Sequence, residues 1–207
     1  MPLLVGKTLK WLRAASKEIL EGAQKAIEEL DMDLVEKFIH MILESKEKKI
    51  FVVGVGRSGF VGRAFALRLM NLGFNVYFLG ETITPAAGKG DLVIAISGSG
   101  TTKLALTASS TAKEIGTKVA AITSYPQSSL GDIADLIVPI GGRTKLGWPK
   151  EEDYLARQLL GERETLSPLG SIFENNCMVF LDSLVVELMH RLGKTEDEMR
   201  KLHATIE

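Results

Sequence analysis

Glycines, hydroxyls and one arginine crowd into two short turns of this 207-residue chain. One turn reads Gly54-Val55-Gly56-Arg57-Ser58-Gly59 and the other Ser97-Gly98-Ser99-Gly100-Thr101-Thr102. Each follows a short apolar run and precedes a helical pattern. In the second turn Ser97, Ser99 and Thr102 offer hydroxyls, and Gly98 and Gly100 keep the loop open. Thr101 or Thr102 falls near a helix N-terminus, where unpaired N–H groups and the helix dipole favour an anion. The economical ligand for such a cradle is a phosphate. Gly56, Arg57 and Ser58 approach the same ligand from the first turn, although Arg57 has a structural alternative in pairing with an acid.

Two other readings compete. Gly54, Gly56 and Gly59 satisfy a dinucleotide fingerprint, and Glu81 stands where a ribose-binding acid would. A nicotinamide fold has no need of a second, hydroxyl-rich cradle, and the chain contains no Gly-Lys-Ser/Thr of the P-loop type. The bland reading is that serine and threonine cap helices and glycines make turns, with no ligand at all.

A general acid or base is harder to find. Glu174 sits near the start of an unusually apolar helix, on the side that carries Cys177, Met178 and Leu181, and a carboxylate there suits proton transfer. Ser171-Ile172-Phe173-Glu174 is also a capping box, which would spend Glu174 on the backbone of Ser171. Asp182 and Glu187 interrupt the same helix and are interface candidates. His40 and His190 are assigned to structure, and three scattered histidines give no metal-ligand spacing.

The elements that position these residues alternate. Two helices come first, about Leu9 to Leu30 and a second one capped by Asp31 or Asp33. Apolar runs then predict strands at Ile50–Val55, Asn75–Leu79, Leu92–Ile96, Lys118–Thr123 and Leu136–Ile140. Their near-continuous apolarity favours a parallel sheet covered on both faces. Crossover helices are expected at Val61–Leu72 and Lys103–Ile115, with a short one in Gln127–Ala134. The fold class is therefore α/β: a doubly wound five-stranded parallel sheet in the flavodoxin-like order 2-1-3-4-5, with N-terminal and C-terminal helical extensions. That order places both glycine-rich turns at the topological switch.

One domain spanning 1–207 is expected, with helices in 1–46, the α/β core in 50–140, an insertion or lid in 141–170, and helices in 171–207. Trp11, Phe38, Phe65 and Phe180 are assigned to packing. With 25 basic and 26 acidic residues the net charge is −1, which gives no field for nucleic acid. The single cysteine, Cys177, allows no internal disulfide and fits a reducing compartment. No run is long enough to span a membrane, so a cytoplasmic protein is expected.

The chain resembles the sugar isomerase (SIS) domains, and among them the 6-phospho-3-hexuloisomerases. Besides the two turns, Arg68-Leu69-Met70, Leu72-Gly73-Phe74, Gly80-Glu81-Thr82-Ile83-Thr84-Pro85, Pro168-Leu169-Gly170 with Phe173-Glu174, and Lys201-Leu202-His203 carry the likeness. Gly142–Ser167 is longer than that family's pattern. The resemblance implies isomerisation between 3-hexulose 6-phosphate and fructose 6-phosphate in the ribulose monophosphate pathway, by a homotetramer without metal or other cofactor. It makes Glu174 the base and brings His203 to a neighbouring subunit's pocket. The alternatives are another phosphosugar aldose-ketose isomerase and a noncatalytic phosphosugar-binding protein.

Overall fold

The apolar runs pair as five parallel strands in the order β2-β1-β3-β4-β5. These are β1 (Lys49–Gly54), β2 (Asn75–Phe78), β3 (Leu92–Ile96), β4 (Lys118–Thr123) and β5 (Leu136–Pro139). The computed structural model describes residues 9–142, 166–168 and 170–202. Most of the expected insertion, and His203, lie outside the described residues.

Period-two alternation divides each strand between two cores. Ile50 and Val52 of β1, Leu92, Ile94 and Ile96 of β3, and Ala120 and Ile122 of β4 face a large cluster that also holds Phe38, Phe65, Phe173 and Phe180. Phe51, Val53, Val93, Ala95, Val119 and Ala121 face a smaller one closed by Ala112 and Leu130. Both faces are covered, which is why the strands read as unbroken apolar runs. Fully burying one large side chain in such a core stabilises by roughly 1.5–3 kcal/mol.

The helices are α1 (Lys10–Glu28), α2 (Met32–Glu44), α3 (Arg57–Asn71), α4 (Lys103–Glu114), α5 (Ser129–Ile133), α6 (Ser171–Arg191) and α7 (Glu196–Arg200). Asp31 caps α2 through the N–H groups of Asp33 and Leu34. Thr195 and Glu198 close a reciprocal capping box on α7. No helix among the described residues is long and apolar enough to cross a membrane.

Two expectations are corrected. Helix α3 begins at Arg57 rather than Val61, because the glycines that look like breakers are packing devices. A Cβ at Gly62 would meet Phe78 at 3.0 Å and Val52 at 3.1 Å, and one at Gly59 would meet the Gly54 carbonyl oxygen at 2.9 Å. Trp11 is not a core residue: it is 69% exposed, as is much of Leu12, since the first half of α1 stands off the body. Only Ala23 and Ala26 of α1 are buried. Asp182 and Glu187, the interface candidates, are exposed in this chain, and Glu187 accepts from Arg191, which also grips Glu36.

Candidate active site

Strands β1 and β3 run side by side with Gly54 opposite Ile96, so the two glycine-rich turns leave the sheet together. Between them lies a cavity of about 330 Å³ lined by Gly56, Arg57, Ser58, Gly98, Ser99, Thr102 and Glu174, with Val55, Gly170 and Phe173. This is the crevice beyond the carboxyl ends of the strands, at the switch point, where open α/β sheets take ligands.

Three helix N-termini open onto this cavity: α3 at Gly56, α4 at Thr102 and α6 at Gly170. None of these caps makes a side-chain bond to its own helix. By contrast α2, α5 and α7 are capped by Asp31, Ser128 and Thr195. Leaving these helix starts without a side-chain acceptor at three helices aimed at one space suits an anionic ligand, whose oxygens would complete the N–H groups that remain after Gly59 has bonded the Gly56 carbonyl and Ser171 the Pro168 carbonyl.

The hydroxyls of the second turn divide their roles. Ser97 Oγ is 2.9 Å from Thr102 Oγ1, and Ser97 is almost fully buried. It therefore anchors Thr102 from behind instead of lining the cavity. Thr101 is exposed; its N–H and hydroxyl both donate to Ser99 Oγ, at 3.3 and 3.1 Å. Thr101 thus orients Ser99 from outside the cavity lining. The turn is braced by β4 and α5: the Gly98 carbonyl accepts from the Ser124 N–H and the Thr123 hydroxyl, and the Gly100 carbonyl from the Leu130 N–H. A cradle held this way needs little reorganisation on binding.

Glu174 faces these turns from across the cavity. Gly170, left-handed at φ 89°, is the N-cap of α6, and Glu174 lies in the first turn, where a carboxylate is favoured by the dipole. The capping-box alternative is thereby corrected, since Ser171 is already helical and cannot serve as the cap. Glu174 instead accepts from Arg57 Nε at 3.3 Å through Oε2. Oε1 has no hydrogen-bond partner among the described residues and remains open to a ligand. Arg57 stands at the positive end of α3, a position the dipole disfavours for a cation. The nearby carboxylate offsets that cost, and the Arg57 side chain stays 58% exposed.

One helical turn beyond Glu174, Cys177 is fully buried. Burial, and then the negative charge of Glu174, push its thiol well above the ordinary thiol range. It is an inert core residue rather than a nucleophile. His40 and His190 are exposed, and His40 contacts Glu36. Among the described residues no group of His, Cys, Asp and Glu could hold a metal ion. Glu81, the ribose-binding candidate, pairs with Arg63 at 2.8 Å.

Gly170 and Phe173, besides Val55, are the lining residues to which sequence reasoning gave no role. Their signal was the Pro168-Leu169-Gly170 and Phe173-Glu174 pattern itself. A Cβ on Gly170 would sit 3.0 and 3.1 Å from the two Glu174 carboxylate oxygens.

Comparison with known proteins bears on this arrangement. Residues 43–144 match the SIS domain family. The chain is 36% identical to the 3-hexulose-6-phosphate isomerase of Bacillus subtilis, covering 92% of this chain and 96% of that one. It is 42% identical to the enzyme of the same name from Methanocaldococcus jannaschii, over 78% of each chain. A Methanococcus jannaschii crystal structure, from which a 3-hexulose-6-phosphate isomerase function was inferred, superposes with a TM-score of 0.74 at 37% identity. That match covers 96% of this chain and all of the other. The chain belongs to the SIS-domain sugar-phosphate isomerases, in the 3-hexulose-6-phosphate isomerase family.

Proposed function

We propose that the protein interconverts D-arabino-3-hexulose 6-phosphate and D-fructose 6-phosphate through a cis-enediol. The observation that carries this reading is the Glu174 carboxylate facing an anion cradle across one small cavity. The family's substrate fits that layout, with a phosphate at one end and the reacting carbons nearer the other.

In this reading the unsatisfied N–H groups of α4, with Ser99 and Thr102, hold the phosphate, and Ser97 and Thr101 keep those hydroxyls in place. Arg57 and Ser58 orient sugar oxygens. Glu174 takes the proton from C2, the electrons form the C2–C3 double bond, and O3 gains a proton. Collapse of the enediol then returns a proton from Glu174 to C3 while the O2 hydroxyl proton leaves, so the carbonyl ends at C2. Anchoring the phosphate fixes C2 and C3 beside the carboxylate, which is where an orientation advantage arises.

His203, from a neighbouring copy in a homotetramer with shared sites, assists ring opening or proton transfer near neutral pH. Arg57 has a second use, because its contact with Glu174 Oε2 steadies the carboxylate before substrate arrives.

The test is to supply 3-hexulose 6-phosphate to the purified protein with no added metal or nicotinamide and identify the product by NMR. Fructose 6-phosphate is expected. Unchanged substrate, or an aldose product, would remove the assignment.

A further inference from the structure

Glu18, on α1, lies 148 positions in sequence from the turn it holds. Its Oε2 accepts the Leu166 N–H at 2.8 Å and its Oε1 the Ser167 N–H at 3.0 Å. Two consecutive backbone donors on the two oxygens of one carboxylate form a charge-assisted clamp. The clamped residues lead directly into the site. The Pro168 carbonyl accepts the Ser171 N–H, and the Gly170 carbonyl the Glu174 N–H, both in the same turn.

One turn along α1, Gly22 seats the same region. A Cβ there would meet Ile172 Cγ2 at 3.2 Å, so glycine lets α1 approach the first turn of α6 without displacing Ile172. On the other side, Asn176 Nδ2 donates to the Gly141 carbonyl at 2.7 Å, and Gly142 lies against Phe173, where a Cβ would come within 2.5 Å of the Phe173 Cα. The start of α6 is therefore held from both flanks, and Gly170 lies so near the Glu174 carboxylate that a Cβ on it would come within 3.0 Å of an oxygen.

We propose that Glu18 is a positioning residue for isomerisation: by clamping Leu166 and Ser167 it fixes the turn through Gly170 that sets where the Glu174 carboxylate points. The proposal rests on Glu174 being the base. Glu18 touches no substrate in this scheme, and its effect passes entirely through the turn.

The experiment compares Glu18→Gln, Glu174→Asp, their combination and Glu174→Gln, with fructose 6-phosphate as the substrate and thermal unfolding as a check of folding. Glutamine at position 18 keeps one acceptor and turns an amide donor towards the other N–H. Glu18→Gln is expected to lower kcat about tenfold with KM within about twofold, since the phosphate cradle on the β3–α4 turn is untouched. Because both single changes act on one carboxylate, the combined loss is expected to be smaller than the product of the single losses. Wild-type kcat in Glu18→Gln would overturn the proposal, as would fully multiplicative losses or a rise in KM alone. Glu174→Gln separates the two claims: near wild-type turnover there removes the base assignment, whereas its loss with a silent Glu18→Gln removes only the positioning role.

Discussion

Replacing Gly170 by alanine tests how closely catalysis depends on the placement of one carboxylate. The residue caps α6 at φ 89° and ψ −25°, a conformation that costs an L side chain about 1–2 kcal/mol. In a chain of this size that corresponds to a fall in Tm of roughly 2–8 °C. The added methyl would also lie 3.0 and 3.1 Å from the Glu174 oxygens. Either the carboxylate or the turn must then yield by a few tenths of an ångström. The bond to Arg57, already 3.3 Å, has little room to follow. A misplacement of about 1 Å at a reacting centre costs about 100-fold, so a shift of a few tenths costs on the order of fivefold to tenfold in rate. Inhibition by inorganic phosphate should stay unchanged, because Ser99 and Thr102 stand on a different turn. The assay is steady-state isomerisation with phosphate as a competitive inhibitor, alongside thermal unfolding. A kcat within twofold of wild type, with the expected loss of Tm, would refute the link between carboxylate placement and turnover.

Two further outcomes follow from the site's surroundings. Gly100→Ala places a Cβ 1.9 Å from Ser128 Oγ at φ 63°, so the second turn must open and KM should rise at least about tenfold, more than kcat falls; adding Ser128→Gly should recover part of the loss, and steady-state kinetics on the three variants checks both. Cys177, whose thiol is pushed up by burial and by Glu174, should resist iodoacetamide at pH 8 in the native protein and react in denaturant, as read by mass spectrometry. Because the folded thiol pKa is raised, its contribution to stability is complete below the unfolded value of about 8.5 and is lost as pH climbs above it; rapid alkylation of the native chain would contradict both statements.

The sheet was legible because strand burial and strand composition are the same fact here. Leu92–Ile96 is apolar from end to end and Lys118–Thr123 is apolar from Val119 to Ile122, since both faces are covered, and the limits of both strands agree with the expected ones. The site was legible where the signal was local: Ser97–Thr102 and Gly56–Ser58 are contiguous turns at adjacent strand ends. It failed where close packing imitates a break, as at Gly59 and Gly62, which sit inside α3. It failed again where two local motifs overlap: Ser171 to Glu174 spells a capping box, but a left-handed Gly170 takes the cap and releases the carboxylate. Glu18 left no local trace, because its partners are backbone groups at the far end of the chain.

The assignment of Glu174 as the base is tested most directly by Glu174→Gln, an isosteric change that removes the proton acceptor and leaves the cavity's size. With 3-hexulose 6-phosphate as substrate, the account predicts loss of fructose 6-phosphate formation by at least about a thousandfold, with phosphosugar binding within severalfold of wild type by calorimetry. Retained turnover near the wild-type rate would contradict it.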